Sequence, residues 1–234
     1  QEPVPDLQEP HVLSLLLPWV DAGSVGTLAL TKLESYFHAR ELGKLSSPGV
    51  FFDFTRYRPI IHSVEGRRVT SIPNSNIYYP HKEEGQDFLF LHLMEPHANA
   101  EEYIESVVQL LKSFGIKRYC RIGGMYSSVP HTRPLRVTGS PGTEQMEALM
   151  GLVFPRRSNN YQGPMSIMGL VSEELEKVGV ETLSLMVQLP QYLDMEEDYS
   201  GEARLLQVIC ALYHLPDFLA DHEPGRRQYV ELSA

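Results

Sequence analysis

Hydrophobic residues along the chain follow two spacings, which alternate from the first part of the sequence to the last. Short, almost uninterrupted apolar runs have the length of buried strands, whereas longer stretches repeat an apolar residue every three or four positions, as amphipathic helices do. The predicted strands are Val12 to Leu17, Asp87 to Met94, Lys117 to Ile122 and Thr182 to Leu189. This alternation predicts an α/β protein, a three-layer sandwich with a mostly parallel central sheet and helices on both faces.

Local signals mark the ends of the predicted helices. Ser24 and Asn99 are suitable N-caps for two of them, and Gly115 suits the end of the second. Further helices are predicted from Glu144 to Val153, from Pro164 to Gly179 and from Ala203 to Leu215. The strand at Asp87, the helix after Asn99 and the strand at Lys117 form one strand–helix–strand unit, in which the two strands are expected to be parallel.

The section from about 49 to 80 departs from this alternation. Val50 to Phe54 has the composition of a strand, and Ile60 to Val64 and Arg68 to Ile72 flank Glu65-Gly66 as the arms of a hairpin do. We therefore expect an antiparallel extension of a single α/β domain that spans residues 12–215. The acidic, proline-containing residues 1–11 are expected to form an extended arm, and the polar residues 216–234 a flexible tail.

Charge and composition exclude several classes of function. The chain has 20 basic and 30 acidic residues, a net charge of −10, which disfavours binding to a nucleic-acid backbone. No apolar run reaches the 18 or more residues of a membrane span, and no signal peptide is evident. The two thiols, Cys120 and Cys210, suit a reducing compartment. We expect a cytoplasmic protein without nucleic-acid or membrane partners.

The main candidate for a functional site is the stretch from Gly115 to Ser140. A predicted strand is followed by Gly123-Gly124, which allow a close backbone approach, and then by Pro130-His131-Thr132-Arg133-Pro134. Two interpretations remain equally open. The loop is a rigid connector whose Arg133 pairs with a carboxylate, Glu95 or Asp21, or it is a binding site to which Gly123, Gly124, His131, Thr132 and Arg133 contribute.

Two carboxylates follow other predicted strands and extend the binding hypothesis. Asp21 and Glu95 each come just after a strand, so they are expected to meet His131 and Arg133 at the carboxyl edge of the sheet. There His131 could act as an acid or base and Arg133 could hold a phosphate or carboxylate. For Asp21, capping of a turn is the favoured alternative to catalysis. His92 is interpreted as a core histidine.

Motifs for other chemistry are absent from the sequence. It contains no phosphate-binding loop, no dinucleotide-binding glycine pattern, no nucleophile elbow and no zinc-ligand spacing. Gly139-Ser140-Pro141-Gly142 is interpreted as a turn. We therefore expect neither a metal nor a cofactor.

The five-residue loop also carries a resemblance. Pro130-His131-Thr132-Arg133-Pro134, after a strand ending in Gly-Gly, resembles the family named after proteasome assembly chaperone two, which has bacterial and archaeal members of unassigned role. Three further segments fit the same family: Pro18-Trp19-Val20-Asp21-Ala22-Gly23, Met94-Glu95-Pro96 and Tyr161-Gln162-Gly163-Pro164. Together these segments extend the resemblance from about Leu13 to Leu215.

The resemblance implies a core like that of purine nucleoside phosphorylases and related hydrolases. It also implies an interaction protein that resembles assembly chaperones, with a protein client such as proteasome subunits, and favours a role other than that of an enzyme. The alternative is a small-molecule binder, or a hydrolase-like or phosphorylase-like enzyme, with its site at the carboxyl edge of the sheet.

Self-association is the last expectation. The hairpin section contains more aromatic residues than one flap can bury, and aromatic clusters are common at the cores of interfaces. These residues are Phe51, Phe52, Phe54, Tyr57, Tyr78 and Tyr79. We expect a homo-oligomer, and the resemblance implies a trimer.

Overall fold

The computed structural model describes residues 6–80, 87–139, 149, 151–155 and 162–232. Ten strands lie in this part of the chain: β1 (His11–Leu17), β2 (Arg40–Lys44), β3 (Ile60–Val64), β4 (Arg67–Ser71), β5 (Asn76–Tyr79), β6 (Phe88–Met94), β7 (Arg118–Ser127), β8 (Val137–Gly139), β9 (Val153–Pro155) and β10 (Glu181–Pro190). The α-helices here are α1 (Val25–Tyr36), α2 (Ala100–Ser113), α3 (Ile167–Lys177), α4 (Tyr199–Tyr213) and α5 (Glu223–Leu232).

Eight of the strands form one sheet, in the order β2-β5-β6-β1-β7-β10-β8-β9. Its centre, β6-β1-β7-β10, is parallel throughout, and β8 pairs antiparallel to β10 at one side. The antiparallel strands β2 and β5 complete the other side. The parallel β6–α2–β7 unit is confirmed, although β1 lies between its two strands. The remaining strands, β3 and β4, pair only with each other.

The residues of β1 alternate between two hydrophobic cores, one on each face of the sheet. Leu13 and Leu15 belong to the core covered by α1 and α4. Val12 and Leu16 belong to the core covered by α2 and α3. All four side chains are at most 1% exposed, as expected of a parallel strand covered by helices on both sides. The predicted three-layer α/β sandwich and the central position of this strand are confirmed.

The two predicted N-caps occupy the right positions but do not cap. Ser24 and Asn99 have left-handed backbone angles, with φ of 51° and 52°, and neither side chain bonds to its own helix. The Ser24 hydroxyl donates to the Glu196 carbonyl at 2.7 Å, and the Asn99 amide donates to the Val50 carbonyl at 2.9 Å. These polar side chains therefore connect distant segments, which local sequence signals do not reveal.

β7 is longer than predicted and continues through both glycines to Ser127. A Cβ added at Gly123 would lie 2.1 Å from the Val20 carbonyl oxygen. The Gly124 N–H donates to that same oxygen at 2.9 Å. The glycines are thus needed inside the strand, because the segment after β1 lies directly against it, with Asp21 paired parallel to Gly124.

The hairpin section is partly as predicted. β3 and β4 form the expected hairpin, but the predicted strand from Val50 to Phe54 is wrong. A short 3-10 helix ends at Val50, and Phe51 and Phe52 turn into the core against Tyr103.

Three other boundaries differ from the predictions. The predicted helix from Glu144 lies mostly outside the described residues, and Val153, its expected last residue, begins β9. α3 begins at Ile167 rather than in a first turn at Pro164. The expected loose tail contains α5, which runs from Glu223 to Leu232.

Candidate functional site

The loop with His131, Thr132 and Arg133 forms one wall of a cavity of about 460 Å³. Helices α4 and α5 form the other walls. Arg204 and Gln207 come from α4, and Arg226 and Tyr229 come from α5. The predicted binding loop therefore faces a pocket of the size that small-molecule sites commonly have.

Tyr192, just after β10, holds His131 in place. The His131 backbone N–H donates to the Tyr192 hydroxyl at 2.8 Å, and Nδ1 of the ring lies 2.7 Å from the same oxygen. The ring also meets the Tyr229 ring edge-on, with centroids 6.0 Å apart. These contacts fix the imidazole at the junction of the loop and α5.

The Arg204 side chain lines the cavity and is held there by three hydrogen bonds. Its guanidinium donates to the Leu135 carbonyl at 2.9 Å, the Leu152 carbonyl at 3.0 Å and the Gln207 side-chain oxygen at 2.6 Å. All three acceptors are neutral, so these bonds orient the guanidinium without compensating its charge. Burial lowers the pKa of Arg204, because desolvation disfavours the charged form.

α5 is held against the start of α4 by Asp198. The Asp198 carboxylate accepts from the Gly201 N–H at 2.8 Å, as an N-cap, and from the Tyr229 hydroxyl at 2.8 Å. Gly225 allows the helices to approach, because a Cβ there would lie 2.5 Å from the Ser200 backbone nitrogen. Burial raises the pKa of Asp198 despite these hydrogen bonds. The wall formed by α5 is therefore a packed element.

The predicted ion pair of Arg133 is wrong. Arg133 is exposed, and no carboxylate of residues 6–80, 87–139, 149, 151–155 or 162–232 forms a salt bridge with it. Asp21 instead accepts from the Gly26 N–H at 2.6 Å and the Thr27 hydroxyl at 2.7 Å. The favoured interpretation of Asp21 as a capping carboxylate agrees with this geometry. Burial raises its pKa, an effect that the bonds to Thr27 and Gly26 oppose.

Glu95 directly follows β6 and does not line the His131 cavity. Its N–H donates to the Leu17 carbonyl at 2.8 Å, and its carbonyl accepts from the Tyr57 hydroxyl at 3.1 Å. Its carboxyl oxygen Oε2 is buried without a hydrogen-bond partner among the described residues. Burial raises the pKa of this carboxyl group. The expected gathering of four residues thus reduces to His131 and Arg133, because neither Asp21 nor Glu95 lines their cavity.

The other predicted positions have structural contacts. Gly123 and Gly124 are covered by the chain's own residues Val20 and Ala22, so their surface is occupied by protein backbone. His92 bonds to the Glu34 carboxylate, which agrees with its interpretation as a core histidine. In the part of the chain that the structure describes, no group of three His, Cys, Asp or Glu side chains could hold a metal ion.

Sequence reasoning missed the contribution of α5. His222, Arg226 and Val230 are spaced by four residues, and Tyr229 lies three residues after Arg226, so one face of a helix carries them all. They all line the cavity. This spacing was a readable signal, but the polar composition of the segment hid it.

The comparison with family models identifies the kind of protein. The model of the PAC2 family matches residues 15–221. The chain belongs to the PAC2 family. This match includes all four segments that carried the resemblance, among them the loop from Pro130 to Pro134 and the segment from Pro18 to Gly23.

Solved structures of several proteins share the fold. A PAC2 family protein from Streptomyces avermitilis superposes with a TM-score of 0.83 at 21% identity, over 96% of this chain and 94% of the other. A Mycobacterium tuberculosis proteasome-assembly chaperone homologue gives 0.78 at 19% identity, over 94% of both chains. An archaeal proteasome activator from Pyrococcus furiosus gives 0.72 at 17% identity, over 98% and 94%.

Two negative results complete the description. None of the curated proteins compared with this PAC2 chain matches it. Among its described helices, none combines the length and the apolar character that crossing a bilayer would require.

Proposed function

We propose that this PAC2 protein acts through contacts with other proteins, like an assembly chaperone, and not as an enzyme. Its family supports this, as do the structures described as a proteasome-assembly chaperone homologue and a proteasome activator. The proposal includes a client such as proteasome subunits and a location in the cytoplasm. The hydrolase-like or phosphorylase-like alternative is weakened, because neither Asp21 nor Glu95 lines the cavity of His131.

The observation that carries the proposal is the β3–β4 hairpin, which we call the arm (residues 58–72). All ten of its strand residues are exposed, and the two strands form a sheet of their own. Ile60, Ile61 and Ile72 are each more than 50% exposed. Because an isolated two-stranded hairpin is only marginally stable in water, contact with another protein would stabilise the arm.

The register of the arm separates its two faces. Residues directly opposite each other in an antiparallel pair share a face, so the pairs of Ile60 with Ser71, His62 with Val69 and Val64 with Arg67 place three aliphatic side chains together. This is the Val64 face, which contains Ile60, Val64 and Val69. The other face is more polar, with Ser63 opposite Arg68 and Ile61 opposite Thr70. The Val64 face is thus the better candidate for contact.

A second copy of the chain is the partner that the charges favour. The arm contains three arginines and one glutamate, whereas the chain as a whole has a net charge of −10. A basic arm is therefore attracted to the acidic remainder of another copy. If the arm contacts a different surface of its neighbour, the contact is heterologous, and a ring such as the trimer forms when the rotation between successive copies closes. Self-association and the trimer remain parts of the proposal.

Two of the six aromatic residues do not contribute to this self-association. Phe51 and Phe52 are 7% and 2% exposed, and both pack on Tyr103. These two rings are in the core and unavailable to a partner. We therefore assign the contact between copies to the aliphatic side chains of the Val64 face.

Light scattering during size-exclusion chromatography tests the self-association. The wild-type chain at micromolar concentration should have three times the monomer mass of 26.5 kDa. Val64→Ser combined with Val69→Ser should reduce the mass, because both changes remove apolar area from the same face. Ser63→Ala combined with Thr70→Ser, on the opposite face, is the matched control. A wild-type monomer would contradict self-association, and a dimer would contradict the trimer alone.

A separate experiment tests the client. Purified proteasome subunits from the same organism should co-elute with the wild-type protein, and the yield of assembled particles should rise in its presence. If the subunits neither bind nor assemble differently, the proteasome-directed role is rejected.

A further inference from the structure

The cavity between the His131 loop, α4 and α5 has an unusual balance of charge. Its lining includes the guanidinium groups of Arg133, Arg204 and Arg226 and the imidazoles of His131 and His222. None of its described lining residues is an aspartate or glutamate. In a chain with ten more acidic than basic residues, three guanidinium groups around one cavity oppose the overall charge.

The protein's own carboxylates compensate this charge poorly. Arg204 is oriented by neutral acceptors. For Arg133, the described residues supply no salt bridge. Arg226 approaches Glu223 at 3.8 Å, but both side chains are more than half exposed, and such pairs contribute little. The pKa of His222 is lowered by burial and by the charges of Arg226 and Arg204, which is consistent with a positive potential at this wall.

The cavity also offers apolar surface beside these charges. Pro134, Leu135 and Val230 line it together with the ring of Tyr229. Leu135 is buried and Tyr229 is tied to Asp198, so this surface is held by the fold. A ligand that fits both features would have an anionic head and an apolar body.

We propose that this cavity binds an organic phosphate monoester. A phosphate monoester carries a charge of about −1.5 to −2 at neutral pH and three acceptor oxygens, so it can engage several guanidinium groups at once. A carboxylate carries a single charge and two oxygens, and would compensate fewer of the cationic groups. The site is separate from the arm, and it goes beyond the proposed protein contacts.

Isothermal titration calorimetry with the full chain tests the site, with phenyl phosphate as the probe. Benzoate has the same ring with a carboxylate, and inorganic phosphate has the same anion without the ring. Phenyl phosphate should bind one per chain, tighter than either of the other two. Added salt should weaken the binding, because the attraction is electrostatic.

Two pairs of neighbouring arginines provide matched variants. Arg133→Gln and Arg226→Gln should each raise the dissociation constant of phenyl phosphate about tenfold or more, because each removes a charged donor. Arg136→Gln and Arg227→Gln are the controls, since Arg136 stacks on Phe154 and Arg227 pairs with Glu223, and neither lines the cavity. Unchanged thermal melting of all four variants should accompany these results.

Three results would overturn the proposal. They are no binding of phenyl phosphate at millimolar concentration, equal affinity in the wild type and in both cavity variants, or tighter binding of benzoate than of phenyl phosphate. The arm variants should bind phenyl phosphate normally, so failure of self-association and failure of this site can be told apart.

Discussion

At the scale of single residues, the most informative positions are those whose role in the fold differs from the role that the neighbouring sequence suggests. Gly123 and Gly124 resemble a turn or a ligand-binding glycine pair, yet they lie inside β7 under the Val20 carbonyl. Asp21 has the position of a catalytic carboxylate at a strand end, yet it caps α1. The close approach of the backbone at Val20 and Ala22 decides the role of the glycines, and the first turn of α1 decides that of Asp21.

Gly123→Ala should destabilise the protein. The added methyl group would meet the Val20 carbonyl oxygen at 2.1 Å, and overpacking of this kind costs about 1–3 kcal/mol. Urea denaturation followed by circular dichroism would measure the loss of unfolding free energy. Gly43→Ala in β2 is the control, because its nearest neighbour would be 4.0 Å away. Equal stability of the two variants would show that the backbone at Val20 shifts to accommodate the methyl group at little cost.

Asp198→Asn should change how stability depends on pH. Burial raises the pKa of Asp198 in the folded protein above its ordinary value of 3.8. The folded state therefore binds the proton more tightly, so wild-type stability gains from protonation as the pH falls through the folded pKa towards 3.8. The variant lacks this gain. Its unfolding free energy relative to the wild type should be highest at neutral pH and should decrease on acidification. The opposite slope would show that the hydrogen bonds from Gly201 and Tyr229 outweigh burial.

At the scale of elements, the arm and α5 show that polar or irregular segments can be well-defined structures. The sequence predicts the arm as a hairpin because its two apolar stretches flank Glu65-Gly66, where both residues have positive φ. The polar composition of α5 suggests a loose tail, but Tyr229 and Gly225 anchor the helix to the start of α4. Because α5 is held by a few contacts with residues distant in sequence, the spacing of its apolar residues does not predict that it is packed.

Removal of the arm should leave a folded monomer. Ile60 and Ser71 are directly paired. An Asn-Gly dipeptide in place of residues 61–70 would therefore connect these two residues by a favoured two-residue hairpin loop. Because the arm belongs to neither hydrophobic core, the melting temperature of the monomer should change little, while the mass from light scattering should fall to that of one chain. Aggregation or loss of the circular dichroism spectrum would show that the arm is needed for folding.

At the scale of the whole molecule, charge is distributed unevenly over an acidic protein. Basic side chains concentrate on the arm and around the His131 cavity, whereas the net charge is −10. Opposite charges on one chain favour head-to-tail contacts between copies, since each copy presents both signs. The charges thus support contact between unlike surfaces of two copies, and the rotation between copies decides whether such contacts close into a ring.

Self-association should consequently weaken with salt. Raising the ionic strength to about 1 M shortens the screening length to about 3 Å, so the attraction between the arm and an acidic surface should largely disappear. Sedimentation velocity at low and high sodium chloride would measure the shift towards the monomer. Arg67→Gln combined with Arg68→Gln should reduce the salt dependence. An association that strengthens with salt would indicate that apolar contact alone holds the copies together.

Much of the architecture follows from the sequence because its determinants are local. The continuous apolar run at Val12 to Leu17 is sufficient to place a strand at the centre of the sheet, and helical periodicity identifies α2 and α4. The predicted binding loop also lies on a cavity. The predictions that failed include local ones, such as the strand from Val50 to Phe54 and the loose tail, and one that required a partner to be known. That one is the pairing of Arg133 with Glu95 or Asp21.

The sequence by itself determined the α/β class, the parallel centre and the exposed hairpin, because apolar spacing and turn residues act over a few positions. Tertiary structure alone decided the strand order, the burial of Phe51 and Phe52, and the absence of Glu95 from the His131 cavity. It also placed Arg204 and Arg226, 71 and 93 residues beyond Arg133 in the numbering, around one cavity. Contacts over such separations depend on how whole helices and strands pack. The entropic cost of closing a long loop depends only weakly on its length, so distance along the chain does not select one partner over another. No local pattern therefore specifies which distant side chains meet.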